Sequence, residues 1–158
     1  MKKKSKATLP RFDVPTAQQY AGEGRLEEWV HIYLNTGDWA NLGLSEGLKL
    51  QKRWWNGPLE VKHSDLVRAC GPEAHMEYRL DPDDWSERTS KIAQSLTNPL
   101  ALPPLIIEYR QGELSIRDGN TRHGAMELKG WQSCWVLIWY NTEDDYLTHR
   151  KSLRNENY

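Results

Sequence analysis

A change of rhythm partway along the sequence narrows what this chain can become. In its earlier part the apolar residues recur mostly every three or four positions, the spacing of a helix with one buried stripe. After Pro103-Pro104 they run together in Leu105-Ile106-Ile107, then alternate with polar residues through Glu113-Leu114-Ser115-Ile116-Arg117, and run together again from Cys134 to Tyr140. Alternation with a period of two belongs to a strand. Gln111-Gly112 between the first two runs reads as a turn, so a hairpin is expected. Asn120 is placed to cap a helix running to Lys129, with Gly130 as its stop. Helix, hairpin, helix and strand in this order suggest α+β or α/β layers, and we take the fold as α+β, a small mixed sheet with helices.

The earlier half supplies the helices. Leu26, Trp29, Val30, Tyr33 and Leu34 form one apolar face from about Glu23 to Leu34, ended by Asn35-Thr36-Gly37. A second helix is expected from Ser45 to about Trp55, stopped by Asn56-Gly57-Pro58. Ser64 is read as the cap of a third, short helix that turns Leu66, Val67 and Cys70 inward, with Gly71-Pro72 as its stop. Glu77 to Leu80 reads as a short strand. Asp81-Pro82-Asp83-Asp84 is a helix start: an acid at the cap, proline in the first turn, then acids against the dipole. Its buried face is Trp85, Thr89, Ile92, Ala93 and Leu96. The expected layout is a disordered basic tail (1–14), a helical extension packed on the core (15–75), a sheet domain (76–145) and a C-terminal tail (146–158).

The 158 residues suit one compact domain with a real core. With a net charge of −1, any contact to nucleic acid needs a local patch. Lys2, Lys3, Lys4 and Lys6 at one end, and Arg150, Lys151 and Arg154 at the other, read as solvated tails. No stretch approaches the ~20 apolar residues of a membrane span, and the basic start is not followed by the apolar segment of a secretory signal. Cys70 and Cys134 lack CxxC spacing and read as buried thiols in a reducing cytoplasm. The five histidines show no ligand spacing, so no zinc site is expected. Eight tryptophans are core mass or the walls of a groove, with core the default.

The chemistry concentrates in Ile116-Arg117-Asp118-Gly119-Asn120-Thr121-Arg122-His123-Gly124-Ala125. A strand ends, a glycine turns the chain, and a helix begins. The first amides of a helix lack intrahelical acceptors and sit at the positive end of its dipole. Gly119 permits close approach of the backbone. Arg122 offers a planar fork for phosphate oxygens, and Asn120 and Thr121 offer side-chain hydrogen bonds. These parts describe an anion site at a helix start, or a plain capped turn with a surface arginine.

The wider string, Pro103-Pro104-Leu105-Ile106-Ile107-Glu108-Tyr109, a turn, Leu114 to Leu128, then Gly130-Trp131 and an apolar strand, resembles the ParB/sulfiredoxin superfamily. Its members carry a "PPhhV" strand, a hairpin, a "DGxHR" loop opening a helix, and a glycine before the last strand. The resemblance covers about Tyr78–Tyr140, and the first 75 residues lie outside it. It implies a nucleotide-binding fold with the triphosphate on the loop. In sulfiredoxins the reactive cysteine occupies the position of Asn120, so sulfinic acid reduction is not expected here. The family's histidine before the arginine is Thr121, and His123 falls one residue past the arginine. Gly119 and Arg122 match cleanly. Asp118 matches the "DG" branch, labelled ParB-like nuclease domain, which includes free serine kinases. Partition proteins carry a Gly-Glu-Arg-Arg box instead, and the helix-turn-helix that follows in them is not expected in the roughly 18 residues after Tyr140.

Phosphoryl transfer is mostly positioning and charge neutralisation, with a divalent ion on a carboxylate and a base near the acceptor. The candidate catalytic residues are Asp118, Glu108 and Glu77, with Asp118 also the candidate Mg²⁺ ligand. The candidate nucleotide-binding residues are Gly119, Asn120, Thr121, Arg122, His123 and Arg79. Each has a plainer reading: Asp118 bonding its own turn, Glu108, Glu77 and Arg79 solvated at the surface. The expected function is binding of ATP or another nucleoside triphosphate with Mg²⁺, and its hydrolysis or phosphoryl transfer to a small acceptor in the cytoplasm. The alternatives are a DNA-associated nuclease-like or regulatory protein, and a non-catalytic module that binds a protein partner.

Overall fold

In the computed structural model, which describes residues 8–156, the chain opens with three short helices. Of the tail expected to be disordered, residues 1–7 lie outside the described residues. Phe12 already packs edge-on against Trp29 and Tyr33, with ring centroids 5.9 and 5.5 Å apart. Asp13 caps α1 (Val14–Gly22) by accepting the Thr16 amide at 2.9 Å, with Pro15 in the first turn. Helix α2 (Leu26–Leu34) buries Leu26, Trp29, Val30, Tyr33 and Leu34, the stripe read from the sequence. Helix α3 (Leu42–Leu48) starts on the Asn41 side chain.

The expected second helix does not continue to Trp55. The chain becomes strand β1 (Trp54–Lys62) instead. Gly57 and Pro58 explain the change: proline has no amide to give a helix or an inner strand, and is tolerated in a sheet at an edge or a bulge. Strand β1 is an edge strand, and its register shifts between Asn56 and Leu59, around that proline. The third expected helix is also corrected. His63–Asp65 forms a single 3-10 turn without a side-chain cap, followed by β2 (Leu66–Arg68) and β3 (Cys70–Gly71). These residues have weak local preferences, and pairing with distant strands decides their conformation.

Strand β4 (Tyr78–Arg79) pairs with β3 in a two-stranded ribbon. Helix α4 (Pro82–Ser95) begins as expected, the Asp81 carboxylate accepting the Asp83 and Asp84 amides at 3.1 and 3.0 Å. Strands β5 (Leu105–Arg110) and β6 (Glu113–Asp118) form the hairpin. Helix α5 (Asn120–Leu128) and strand β7 (Ser133–Tyr140) follow. The stretch from residue 146, expected to be a tail, belongs to helix α6 (Glu143–Glu156). Asp144 and Asp145, read as a solvated loop, lie in its first turn, where acids favour the dipole.

The main sheet has the order β1-β7-β5-β6-β2. β5 runs parallel to β7 and β2 parallel to β6, while β1–β7 and β5–β6 are antiparallel. The sheet is therefore mixed and the class α+β. One face carries Leu105, Ile107, Ile116, Val136 and Ile138 beneath Ala125 and Met126 of α5. The opposite face carries Ile106, Leu137 and Trp139 beneath Trp29, Val30, Tyr33 and Leu34 of α2. Trp29 stacks on Tyr33 at 5.3 Å with planes 10° apart. Full burial of such side chains contributes roughly 1.5–3 kcal/mol each. Trp29, Trp85 and Trp139 are core, four other tryptophans are half-buried, and Trp39 is exposed. Cys134 is buried and Cys70 half-buried, and both are free thiols.

Candidate functional site

The turn from β6 into α5 is built around Gly119, whose φ of 97° lies in the left-handed region. A Cβ there would also run into Leu105 and come within 2.9 Å of Arg122 Nη2. Gly119, not Asn120, is the residue at the cap, and it has no side chain to give. The first helical hydrogen bond is His123 N to Gly119 O at 2.8 Å. The amides of Asn120, Thr121 and Arg122 have no acceptor among the described residues. Asn120 is the first helical residue, and its side chain ties elements together. Its Oδ1 accepts from the amides of Ala69 and Cys70 at 2.9 and 3.2 Å, and its Nδ2 donates to Ile116 O at 3.0 Å.

Arg122 is not a surface fork. It is 1% exposed and lies against the Gly119 backbone. Its Nη1 donates to Pro103 O at 2.5 Å, and its Nη2 donates to the Tyr33 hydroxyl at 2.9 Å and to Asp118 Oδ2 at 3.2 Å. Tyr33 in turn donates to Asp118 Oδ2 at 3.2 Å. Burial first, and the Asp118 carboxylate as well, raise the Tyr33 phenol above its ordinary range, against the pull of Arg122. The phenol therefore keeps its proton at neutral pH. The guanidinium lies 5.9 Å from the centroid of the Tyr33 ring and 5.0 Å from that of Trp39. Its Nε is buried and has no partner among the described residues. Asp118 Oδ1 makes no hydrogen bond among the described residues.

Asp118, Gly119, Asn120, Thr121 and Arg122 thus form one locus, in which Thr121 is half-buried. His123 is turned the other way. Its ring lies 4.4 Å from that of His63, and none of the four ring nitrogens has a hydrogen-bond partner among the described residues. Burial, with His63 and Arg68 nearby, pushes His123 down to about 3. Its Nδ1 is 3.3 Å from Glu127 Oε1 but out of line for a hydrogen bond, and a neutral imidazole makes no ion pair there.

Glu108 and Glu77 meet on a different partner, Arg117. Its Nε is 3.2 Å from Glu108 Oε1, and its Nη1 is 3.0 Å from Glu77 Oε2. Arg79 donates to Pro72 O at 3.1 Å on the exposed ribbon, the one hydrogen bond of its side chain among the described residues. A cleft of about 310 Å³ opens on the Arg117 side, lined by Arg68, His75, Glu77, Arg110, Ser115 and Arg117. Ala69 also lines it, and Asn120 holds the Ala69 amide, so the cleft adjoins the first turn of α5. Its arginines are matched by acids: Arg68 by Glu73 at 2.6 Å, and Arg110 by Glu77 at 3.9 Å.

Sequence reasoning missed Tyr33, Arg117, Arg68 and Trp39 as members of this region. The i,i+4 spacing of Asp118 and Arg122 was a visible signal that they would pair. Nothing local connects Tyr33 or Arg68 to the loop. Among the described residues no group of three histidines, cysteines or acids is set to hold a metal ion. Asp118 offers one unbonded carboxylate oxygen. That suits Mg²⁺, which is bound through one or two carboxylates while phosphate oxygens and waters complete its shell. No protein-family model matches this chain, and no curated protein does.

Proposed function

We propose that the protein binds a nucleoside triphosphate with its phosphates on the first turn of α5, and hydrolyses it or transfers a phosphoryl group to a small acceptor. The observation that carries this reading is the helix start: three amides without acceptors among the described residues, above a glycine at φ 97°, with a buried guanidinium whose Nε has no partner among those residues alongside. Open amides and a positive dipole end favour an anion. The resemblance of the loop to the ParB/sulfiredoxin superfamily points the same way.

The roles follow from the positions. The amides of Asn120 to Arg122 receive phosphate oxygens, and Thr121 adds its hydroxyl. Arg122 acts as a fixed positive charge beneath them, held in place by Pro103, Tyr33 and Asp118. Asp118 Oδ1 would hold Mg²⁺, which supplies charge neutralisation on the phosphates when bound. The adjoining cleft takes the acceptor, and Glu77 on its wall is the candidate base. Arg117 steers Glu77 and Glu108 through its two ion pairs.

Titration with ATP, CTP and GTP, each with Mg²⁺, by calorimetry tests this reading. Thr121→Pro deletes one open amide and leaves proline at the second helical position, where Pro15 already stands in α1. Saturable binding that weakens in this variant at unchanged helix content is the expected result. No binding of any nucleotide by the native chain overturns the proposal. Steep salt dependence with duplex DNA in place of nucleotide would move the function to DNA.

A further inference from the structure

We infer that Trp39 is the platform on which the base of the bound nucleotide stacks, an inference that rests on the phosphate site at α5. Trp39 is the one exposed tryptophan of the eight, with 45% of its surface open. It does not dangle. The segment between α2 and α3 is tied by Thr36 Oγ1 to Ile32 O at 2.6 Å, Ala40 N to Gly37 O at 3.2 Å and Asn41 N to Leu34 O at 2.7 Å. The ring is therefore presented by a braced turn. Arg122 lies 5.0 Å from its centroid, and the same guanidinium rests against Gly119 at the mouth of α5. Trp39 and the first turn of α5 are thus linked through one side chain.

The chemistry of a base suits this ring. The guanidinium covers part of the indole, and a base laid on its exposed surface adds a second stacking partner. Every base has a π-face, so the platform ranks nucleotides weakly by base and strongly against ligands that have none. The ligand class is a nucleotide with a base of any kind. A bare polyphosphate would occupy the α5 subsite alone.

The test compares Mg²⁺-ATP with Mg²⁺-tripolyphosphate by calorimetry on the native chain, Trp39→Ala and Trp39→Phe. ATP is expected to bind the native chain roughly 5- to 150-fold more tightly than tripolyphosphate, the range contributed by one stacked base. Trp39→Ala should remove that advantage and leave tripolyphosphate affinity unchanged, while Trp39→Phe should retain much of it. Equal affinity of the native chain for both ligands, or an unchanged advantage in Trp39→Ala, overturns the platform and leaves the phosphate site standing. Equal weakening of both ligands by Trp39→Ala reduces Trp39 to a brace for Arg122 and also overturns it. Failure of tripolyphosphate and ATP alike to bind the native chain removes the phosphate site and the platform together.

Discussion

Replacing Asp118 by alanine isolates the charge balance at the loop. The carboxylate sits 3.2 Å from Arg122 Nη2, and the arginine is 1% exposed. Removing one partner of a buried pair strands the other charge, at a cost of about 3–5 kcal/mol. Arg122 keeps two acceptors, Pro103 O at 2.5 Å and the Tyr33 hydroxyl at 2.9 Å, so the lower end applies, about 3 kcal/mol. In a chain of 158 residues that corresponds to a fall in Tm of about 6–12 °C. Tyr33→Phe leaves the direct pair in place and should cost less, about 1–2 kcal/mol. Urea denaturation followed by circular dichroism measures both. The decisive variant is Asp118→Ala combined with Arg122→Met. If a stranded charge causes the loss, removing that charge as well restores part of the stability. A double variant that loses as much as the sum of its parts would refute the reasoning, as would Asp118→Ala lying within about 0.5 kcal/mol of the native chain.

Three further outcomes are open to measurement. Gly119→Ala forces a side chain into φ 97° and against Leu105, and should lower the urea midpoint by the equivalent of about 2 kcal/mol or more; an unchanged midpoint would contradict the turn geometry. His123 is held at about 3 in the folded chain against the ordinary 6.5 of a solvent-exposed imidazole in the unfolded chain, so the unfolded chain takes up a proton first as pH falls. Its contribution is full above pH 6.5 and is lost on the way down, so native and His123→Gln stabilities should converge by roughly 2–3 kcal/mol between pH 7 and 4.5; parallel pH profiles would show the imidazole is not buried neutral. Burial pushes the Cys134 thiol up to about 12, so a thiol reagent at pH 8 should label Cys134 only after denaturation, and rapid labelling of both cysteines in the folded chain would disagree with the core assignment.

What the sequence displayed depended on whether the deciding contacts were local. Asp81 and its proline announce α4 because capping is settled within four residues. The hairpin and the helix after Gly119 were legible for the same reason. Strand β1 was not: Trp54 and Trp55 continue a helical spacing from Ser45, and its residues are half-buried with little alternation, so the period of two is faint. Strand β2 has three residues and owes its conformation to β6, 48 residues on. The loop's composition was visible, and so was an arginine near a glycine. Its inward direction was not, because the partner that draws it in, Tyr33, lies 89 residues away and looked like an ordinary member of a core stripe.

The strand order sets a schedule for folding. Three contiguous-in-space strands, β7, β5 and β6, come from the later half of the chain, and the earlier half supplies β1 and β2, one for each flank. Trp54 pairs with Tyr140, so β1 leaves the ribosome long before the strand that completes it. Closing loops of that length before any reward is gained predicts folding that is slow relative to chains with local pairing. It also assigns the earlier strands a protective duty. Without them the three inner strands would show an open edge on both sides, and open edges recruit other chains. Excising Tyr78–Tyr140 as a self-sufficient piece would therefore yield aggregates.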